Sequence, residues 1–253
     1  MTGLAAAALL MAGALDSRAL FERVKPSVVQ IQVLSPSGEL RSLGSGFVAS
    51  GDGLLITNHH VIEGASRMVA IFGDGQRSPV VGVMHDDPDH DIAVVRVDRV
   101  TTPLSFGSAT QALVGDEVML IGSPYGLDFT VSVGAVARYR PDGLPLEMRQ
   151  LAGDEDVTAR MPTLQLTAPA GQGNSGGPVL SATGAVLGIV QSGIGGHGNF
   201  TFAVPSESLQ AALEAAKAPV ASAAMDGRIM NGSISVMAFG ILAVLYGRMR
   251  RKA

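Results

Sequence analysis

The sequence predicts an all-β domain, a barrel or sandwich assembled from many short strands. Three observations carry that reading. The 253 residues include 32 Gly and 13 Pro but only 4% aromatics, so turn formers recur along the whole chain. Between the turns lie short apolar, β-branched runs at close spacing, without alternating strand and helix patterns. Only one convincing amphipathic helix stands in the body of the chain, at 206–217.

The first predicted strand, 27–33, alternates as a half-buried strand should, with Val29, Ile31 and Val33 on one face. Ser35-Pro36-Ser37-Gly38 then turns the chain. Further strands are predicted at 46–49, 54–57, 68–72, 80–84 and 92–97. A second series follows at 117–121, 130–138, 163–167, 178–180, 186–191 and 200–204. Helix 206–217 has Ser206 and Ser208 as candidate N-caps and Leu209, Leu213 and Ala216 on one face. No internal repeat is visible at the level of motifs.

The two ends differ from the body. Residues 4–15 form an apolar run of signal-peptide length, too short to span a bilayer, and Ala12-Gly13-Ala14 offers a small-x-small cleavage site. A basic segment ahead of the run is missing, so 1–16 reads as a signal-like leader; an alanine-rich helix packed on the domain is the bland alternative. After a small-residue linker at 218–228, residues 229–247 carry no charge and would extend roughly 28 Å as a helix, close to the hydrocarbon thickness. Arg248, Arg250, Arg251 and Lys252 follow in the basic tail 248–253. A transmembrane helix with a cytoplasmic C-terminus is expected from this pattern, leaving the domain at 17–217 extracytoplasmic, on the periplasmic face of a bacterial inner membrane. A sorting signal removed after export has the same pattern.

Composition narrows the chemistry. A net charge of −4 without a basic stripe in the body gives no reason to expect nucleic acid. With no cysteine, disulfides, thiolate metal sites and a cysteine nucleophile are excluded. Three segments point instead to nucleophilic catalysis by serine. Gly173-Asn174-Ser175-Gly176-Gly177-Pro178 places a serine in a glycine-rich bend, Thr57-Asn58-His59-His60-Val61 an imidazole beside a strand, and His90-Asp91-Ile92-Ala93-Val94-Val95 a carboxylate at the start of another. A serine hydroxyl needs an adjacent base, and the base needs a group that fixes its tautomer. The candidates are Ser175 as nucleophile, His60 as base with His59 as competitor, and Asp91 as orienting carboxylate. The N–H groups of Gly173 and Ser175 are candidates for an oxyanion hole. The run from His85 to Asp91 (HDDPDHD) also resembles a metal-ligand cluster, but acidic loops are more often merely solvated, so neither metal nor cofactor is expected.

These segments, with Gly44-Ser45-Gly46-Phe47-Val48, Ile121-Gly122-Ser123-Pro124-Tyr125-Gly126-Leu127 and Phe202-Ala203-Val204-Pro205, resemble the trypsin-like serine proteases of the HtrA/Deg type, in the family's order over about 22–215. The resemblance implies two six-stranded antiparallel barrels, here about 17–105 and 106–205, with the site in the cleft between them. It assigns the family's histidine to His60, which directly precedes Val61-Ile62, its aspartate to Asp91 and its serine to Ser175. It also assigns Thr201, Gln191 and Pro169 to the substrate pocket. Thr201 stands where relatives carry glycine, implying a shallower pocket. Pro169 stands where proteases that cut after Lys or Arg carry an acid, so small or medium apolar residues are favoured. Asn174 replaces the aspartate that binds a newly cut N-terminus in digestive relatives, so loop ordering is expected as the control. No room for a PDZ domain is apparent between 217 and 229. The implied partners are unfolded or exposed protein segments, and Phe21 is a candidate trimer contact. A peptide-binding or holdase module with little hydrolytic activity, or an esterase with the same triad, are the competing readings.

Overall fold

The computed structural model describes residues 15–127, 129–145, 160–193 and 201–218. The span predicted at 229–247, the basic tail, all but the last two residues of the leader and all but the first of the linker lie outside them. No helix among the described residues is long and apolar enough to cross a membrane. The chain divides into a compact unit ending at Lys217 and a second, Ala218–Ala253, of which only Ala218 is described.

Twelve strands close into two barrels, as the resemblance implied. The first contains β1 (Val28–Leu34), β2 (Leu40–Val48), β3 (Leu54–Thr57), β4 (Arg67–Phe72), β5 (Arg77–Asp87) and β6 (Ile92–Val97), ordered β1-β2-β3-β6-β5-β4. The second contains β7 (Glu117–Gly122), β8 (Thr130–Arg140), β9 (Thr163–Leu166), β10 (Pro178–Ser181), β11 (Val186–Gly193) and β12 (Thr201–Pro205), ordered β10-β11-β12-β9-β8-β7. Read around the ring in the opposite sense, the second order is the first again. The chain therefore repeats a topology without repeating a motif. All the strand pairs are antiparallel.

Hydrophobic pattern explains which strands lie between the barrels. A strand covered on one face alternates, whereas a strand covered on both reads as a continuous apolar run. Leu54-Leu55-Ile56, Ile92-Ala93-Val94-Val95 and Val118-Met119-Leu120-Ile121 are such runs and are buried throughout. Leu55, Ala93 and Val95 point into the first barrel with Val29, Ile31 and Phe72. Val118 and Leu120 point into the second barrel with Leu164, Leu166 and Val179. The alternate residues Leu54, Ile56, Ile92, Val94, Met119 and Ile121 join one cluster with Phe47, Leu180 and Ile189, which bonds barrel to barrel.

Two helices extend that central cluster. α1 (Ser17–Val24) was not predicted; Asp16 Oδ1 accepts from Ala19 N at 3.0 Å as its cap, while Leu20 and Val24 are buried. Phe21 packs on the central cluster, with the Lys25 ammonium over its ring at 5.5 Å, so the residue proposed as a trimer contact has a role within the fold. α2 (His59–Ile62) is a single turn after β3. The third helix, α3 (Ser206–Lys217), has the predicted bounds. It buries Leu209, Ala212, Leu213 and Ala216 and packs on β5 and β6 as well as on β11 and β12, so it straps the two barrels together. The Ser206 hydroxyl donates to Gly107 O at 3.0 Å and accepts from Ala109 N at 3.1 Å, fastening the inter-barrel connection to α3.

Candidate active site

The barrels bring the three predicted segments together from opposite sides. β3 ends at Thr57, and the turn α2 begins two residues later, presenting His60 at the barrel's end. Asp91 immediately precedes β6, the partner of β3, with Thr57 paired to Ala93. Among the described residues Asp91 is the only non-glycine with positive φ, at 55°. Aspartate tolerates this left-handed conformation better than most side chains. Asn58 Nδ2 donates to Asp91 O at 2.8 Å and supports it there.

From this position Asp91 Oδ1 accepts the His60 backbone N–H at 3.0 Å, and both carboxylate oxygens lie 2.9 Å from His60 Nδ1. Asp91's side chain is 8% exposed and that of His60 44%, so a buried carboxylate holds an imidazole whose other edge is open. Nδ1 then carries the proton toward Asp91, and Nε2 is left as the basic nitrogen. The rival His59 faces elsewhere, with Nδ1 2.7 Å from Asp86 Oδ1. His90 Nδ1 lies 2.8 Å from Asp87 Oδ2. The acidic run thus resolves into separate histidine–carboxylate pairs. Among the described residues no group of three or more His, Asp or Glu side chains converges to hold a metal ion.

The serine segment comes from the second barrel, in the turn before β10. Gly176, at φ 83°, packs so tightly that an added Cβ would lie 2.1 Å from Ser45 O and 2.4 Å from Thr57 Oγ1. Only glycine fits, and this close approach seats the serine turn on the strand end leading to His60. Ser45 N donates to Ser175 O at 2.8 Å across the same contact. The Ser175 hydroxyl donates to Gln191 O at 3.0 Å; among the described residues it makes no hydrogen bond to His60. Neither the Gly173 nor the Ser175 N–H is engaged by another described residue, whereas those of Asn174, Gly176 and Gly177 all are. Asn174 is buried, and its side-chain oxygen has no partner among the described residues.

Of the pocket positions, Gln191 meets the nucleophile through its backbone oxygen. Thr201 is 1% exposed, and its hydroxyl donates to Ala168 O at 2.6 Å. Pro169 is exposed, its carbonyl accepting from Ser132 Oγ at 2.7 Å. Residues 194–200, which precede Thr201, lie outside the described set. Sequence reasoning assigned no task to Thr57, Asn58, Ser45 or Ser123, all of which are fully buried around the site. Buried polar side chains are mostly hydrogen-bonded, and Ser45 Oγ, Thr57 Oγ1 and Asn58 Nδ2 are, whereas Ser123 Oγ and Asn58 Oδ1 find no partner among the described residues. A serine between two glycines at the start of an apolar run is the signal that was available for Ser45.

Comparison with known proteins accounts for this arrangement. A profile of the trypsin-like peptidase domain matches residues 44–189. The chain belongs to this family. Among its relatives are a probable periplasmic serine endoprotease, DegP-like, from Chlamydia trachomatis, 34% identical over 76% of this chain and 36% of the relative, and its counterpart from Halomonas elongata, 35% identical over 79% and 39%. Protease Do-like 1, chloroplastic, from Arabidopsis thaliana is 33% identical over 75% and 45%. Two solved structures are similar: the serine endoprotease from Yersinia pestis (26% identity, 80% of this chain and 67% of that one, TM-score 0.66) and the HtrA-type protease AlgW with tripeptide (28%, 78% and 61%, TM-score 0.65). This trypsin-like chain is of the HtrA/Deg type, and it spans less than half the length of the curated relatives it matches.

Proposed function

We propose that the protein is a serine endopeptidase that hydrolyses unfolded or exposed protein segments outside the cytoplasm. The observation that carries this reading is the buried Asp91 carboxylate bonded to both the backbone N–H and Nδ1 of His60, beside a serine turn held against the same strand end. In the reaction the Ser175 hydroxyl leaves Gln191 O and turns to His60 Nε2. Its oxygen attacks the scissile carbonyl carbon as its proton passes to Nε2, and the carbonyl oxygen becomes an oxyanion held by the Gly173 and Ser175 N–H groups. Collapse of the intermediate breaks the C–N bond, with His60 returning the proton to the leaving amine. Water then repeats the sequence on the acyl-enzyme. Asp91 orients His60 and stabilises its charged form. No cofactor enters these steps.

The same reading takes 1–16 as an export leader and 229–247 with its basic tail as an anchor facing the cytoplasm, placing the protease on the outer face of the membrane. Its task there would be protein quality control or processing. With Thr201 buried and its hydroxyl bonded to Ala168 O, and with no acid at 169, small or medium apolar residues are favoured at the cleavage site. Casein incubated with the full-length chain tests the activity: wild type should cleave it after such residues and Ser175→Ala should not. Equal cleavage by both would defeat the proposal.

A further inference from the structure

Beyond the proposed triad, one fully buried side chain bonds to the nucleophile turn and to the residue after β7. Ser45 lies in β2 of the first barrel and is 0% exposed. Its hydroxyl donates to Gly173 O at 2.7 Å and accepts from Ser123 N at 2.9 Å, reaching residues 128 and 78 positions away. Its backbone N–H donates to Ser175 O at 2.8 Å. Its carbonyl accepts from Thr57 Oγ1 at 2.7 Å, and Thr57 lies three residues before His60. One residue therefore links the strand that leads to the proposed base, the turn that carries the proposed nucleophile and the residue after β7.

The bond to Gly173 O matters most, because the peptide plane between Gly173 and Asn174 separates the two proposed oxyanion donors. The carbonyl of that plane is held by Ser45 Oγ, and its N–H donates to Gly171 O at 3.0 Å. Gly173, at φ 98°, has no side chain to resist rotation of this plane. We infer that Ser45 is the positioning residue of the oxyanion hole: its hydroxyl pins the 173–174 peptide so that the Gly173 and Ser175 N–H groups converge on one point. Removing the hydroxyl leaves a buried carbonyl without its donor and the buried Ser123 N–H without its acceptor, and the plane rotates to find other partners. The backbone bonds of Ser45 survive the change, so the barrels and the nucleophile turn stay in place.

This inference rests on the protease reading, and the assay separates the two. Wild type, Ser45→Ala and Ser45→Cys, each as the full-length chain, are compared on a p-nitrophenyl ester of a small N-acylated apolar amino acid. For Ser45→Ala, kcat should fall by about 10²-fold with KM within about twofold of wild type, because the lost contact acts on the oxyanion and not on the bound ester. Ser45→Cys, of similar size and with a weak S–H donor, should fall between the two. A wild-type kcat in Ser45→Ala, or a raised KM with kcat preserved, would overturn the assignment while leaving the protease intact. If circular dichroism shows Ser45→Ala unfolded, a folded Ser45→Cys with wild-type kcat overturns it equally. A wild type that does not hydrolyse the ester would refute the protease reading, and this one with it.

Discussion

Asp91→Asn perturbs the His60–Asp91 pair without changing its shape. Asparagine tolerates the left-handed φ of 55° at this position, and its side-chain oxygen can still accept the His60 backbone N–H that Asp91 Oδ1 accepts at 3.0 Å. Its amide then occupies the place of Oδ2 and points a donor at Nδ1, where the carboxylate had accepted at 2.9 Å. The imidazole must take the opposite tautomer, with its proton on Nε2, and loses the lone pair that the proposed mechanism uses to remove the serine proton. The carboxylate charge that compensates the imidazolium goes as well. Because the tautomer is wrong in every molecule, kcat should fall about 10⁴-fold, which is about 5.4 kcal/mol of barrier at about 1.36 kcal/mol per decade. KM should change little, since Asp91 is buried beneath His60. The assay is steady-state hydrolysis of a p-nitrophenyl ester, with circular dichroism to verify the fold. Asp86→Asn, at the His59 pair, is the matched control and should leave kcat near wild type. An Asp91→Asn protein retaining more than about a tenth of wild-type kcat, or equal losses in the two variants, would refute the assignment of His60 as base.

Three further outcomes follow from the packing and charge of the fold. Gly176→Ala places a Cβ 2.1 Å from the Ser45 carbonyl oxygen, at positive φ; it should lower stability by more than about 2 kcal/mol in urea denaturation, and a smaller loss would show that the turn can move. Leu209→Ala removes a fully buried side chain from the strap between the barrels and should destabilise by about 2–5 kcal/mol on the same measure. Partial burial acts to raise the Glu207 carboxyl, yet hydrogen bonds from Ser108 Oγ and from the Thr110 N–H and hydroxyl together hold it below its ordinary 4.5. The stability it contributes is therefore present above 4.5 and lost as pH falls through the lowered folded value, so the advantage of wild type over Glu207→Gln in urea midpoint should shrink from about pH 7 to about pH 3. An advantage that grows with acidity would contradict the sign.

Much of this architecture was legible because turn chemistry and apolar runs are local signals. All twelve predicted strand segments correspond to strands, and the continuous run at 92–97 matches β6 at both ends. The edges escaped where burial did not shape the sequence. β2 begins at Leu40, well before the predicted start at 46, because Leu40-Arg41-Ser42 is exposed and carries no inward apolar pattern. β5 runs from 77 to 87, longer than the predicted 80–84, with Val81 and Val83 exposed. Helix α1 was missed although Asp16 caps it and Leu20 and Val24 stand four apart, since eight residues beside an apolar leader give little periodicity. At the site, the proposed triad positions rest on motifs, and His60, not His59, is the histidine whose Nδ1 meets Asp91. The Ser45 network was not legible, because each of its partners is distant in sequence and only closure of both barrels brings them together.

Locating the reactive serine distinguishes Ser175 from every other hydroxyl of the chain. The full-length chain is treated with a fluorophosphonate and digested, and the modified peptide is mapped by mass spectrometry, with His60→Ala alongside. A single adduct on Ser175 is expected in wild type, and a greatly slowed one in His60→Ala. An adduct on another residue, or equal labelling of Ser175 in both proteins, would contradict the proposed roles of Ser175 and His60.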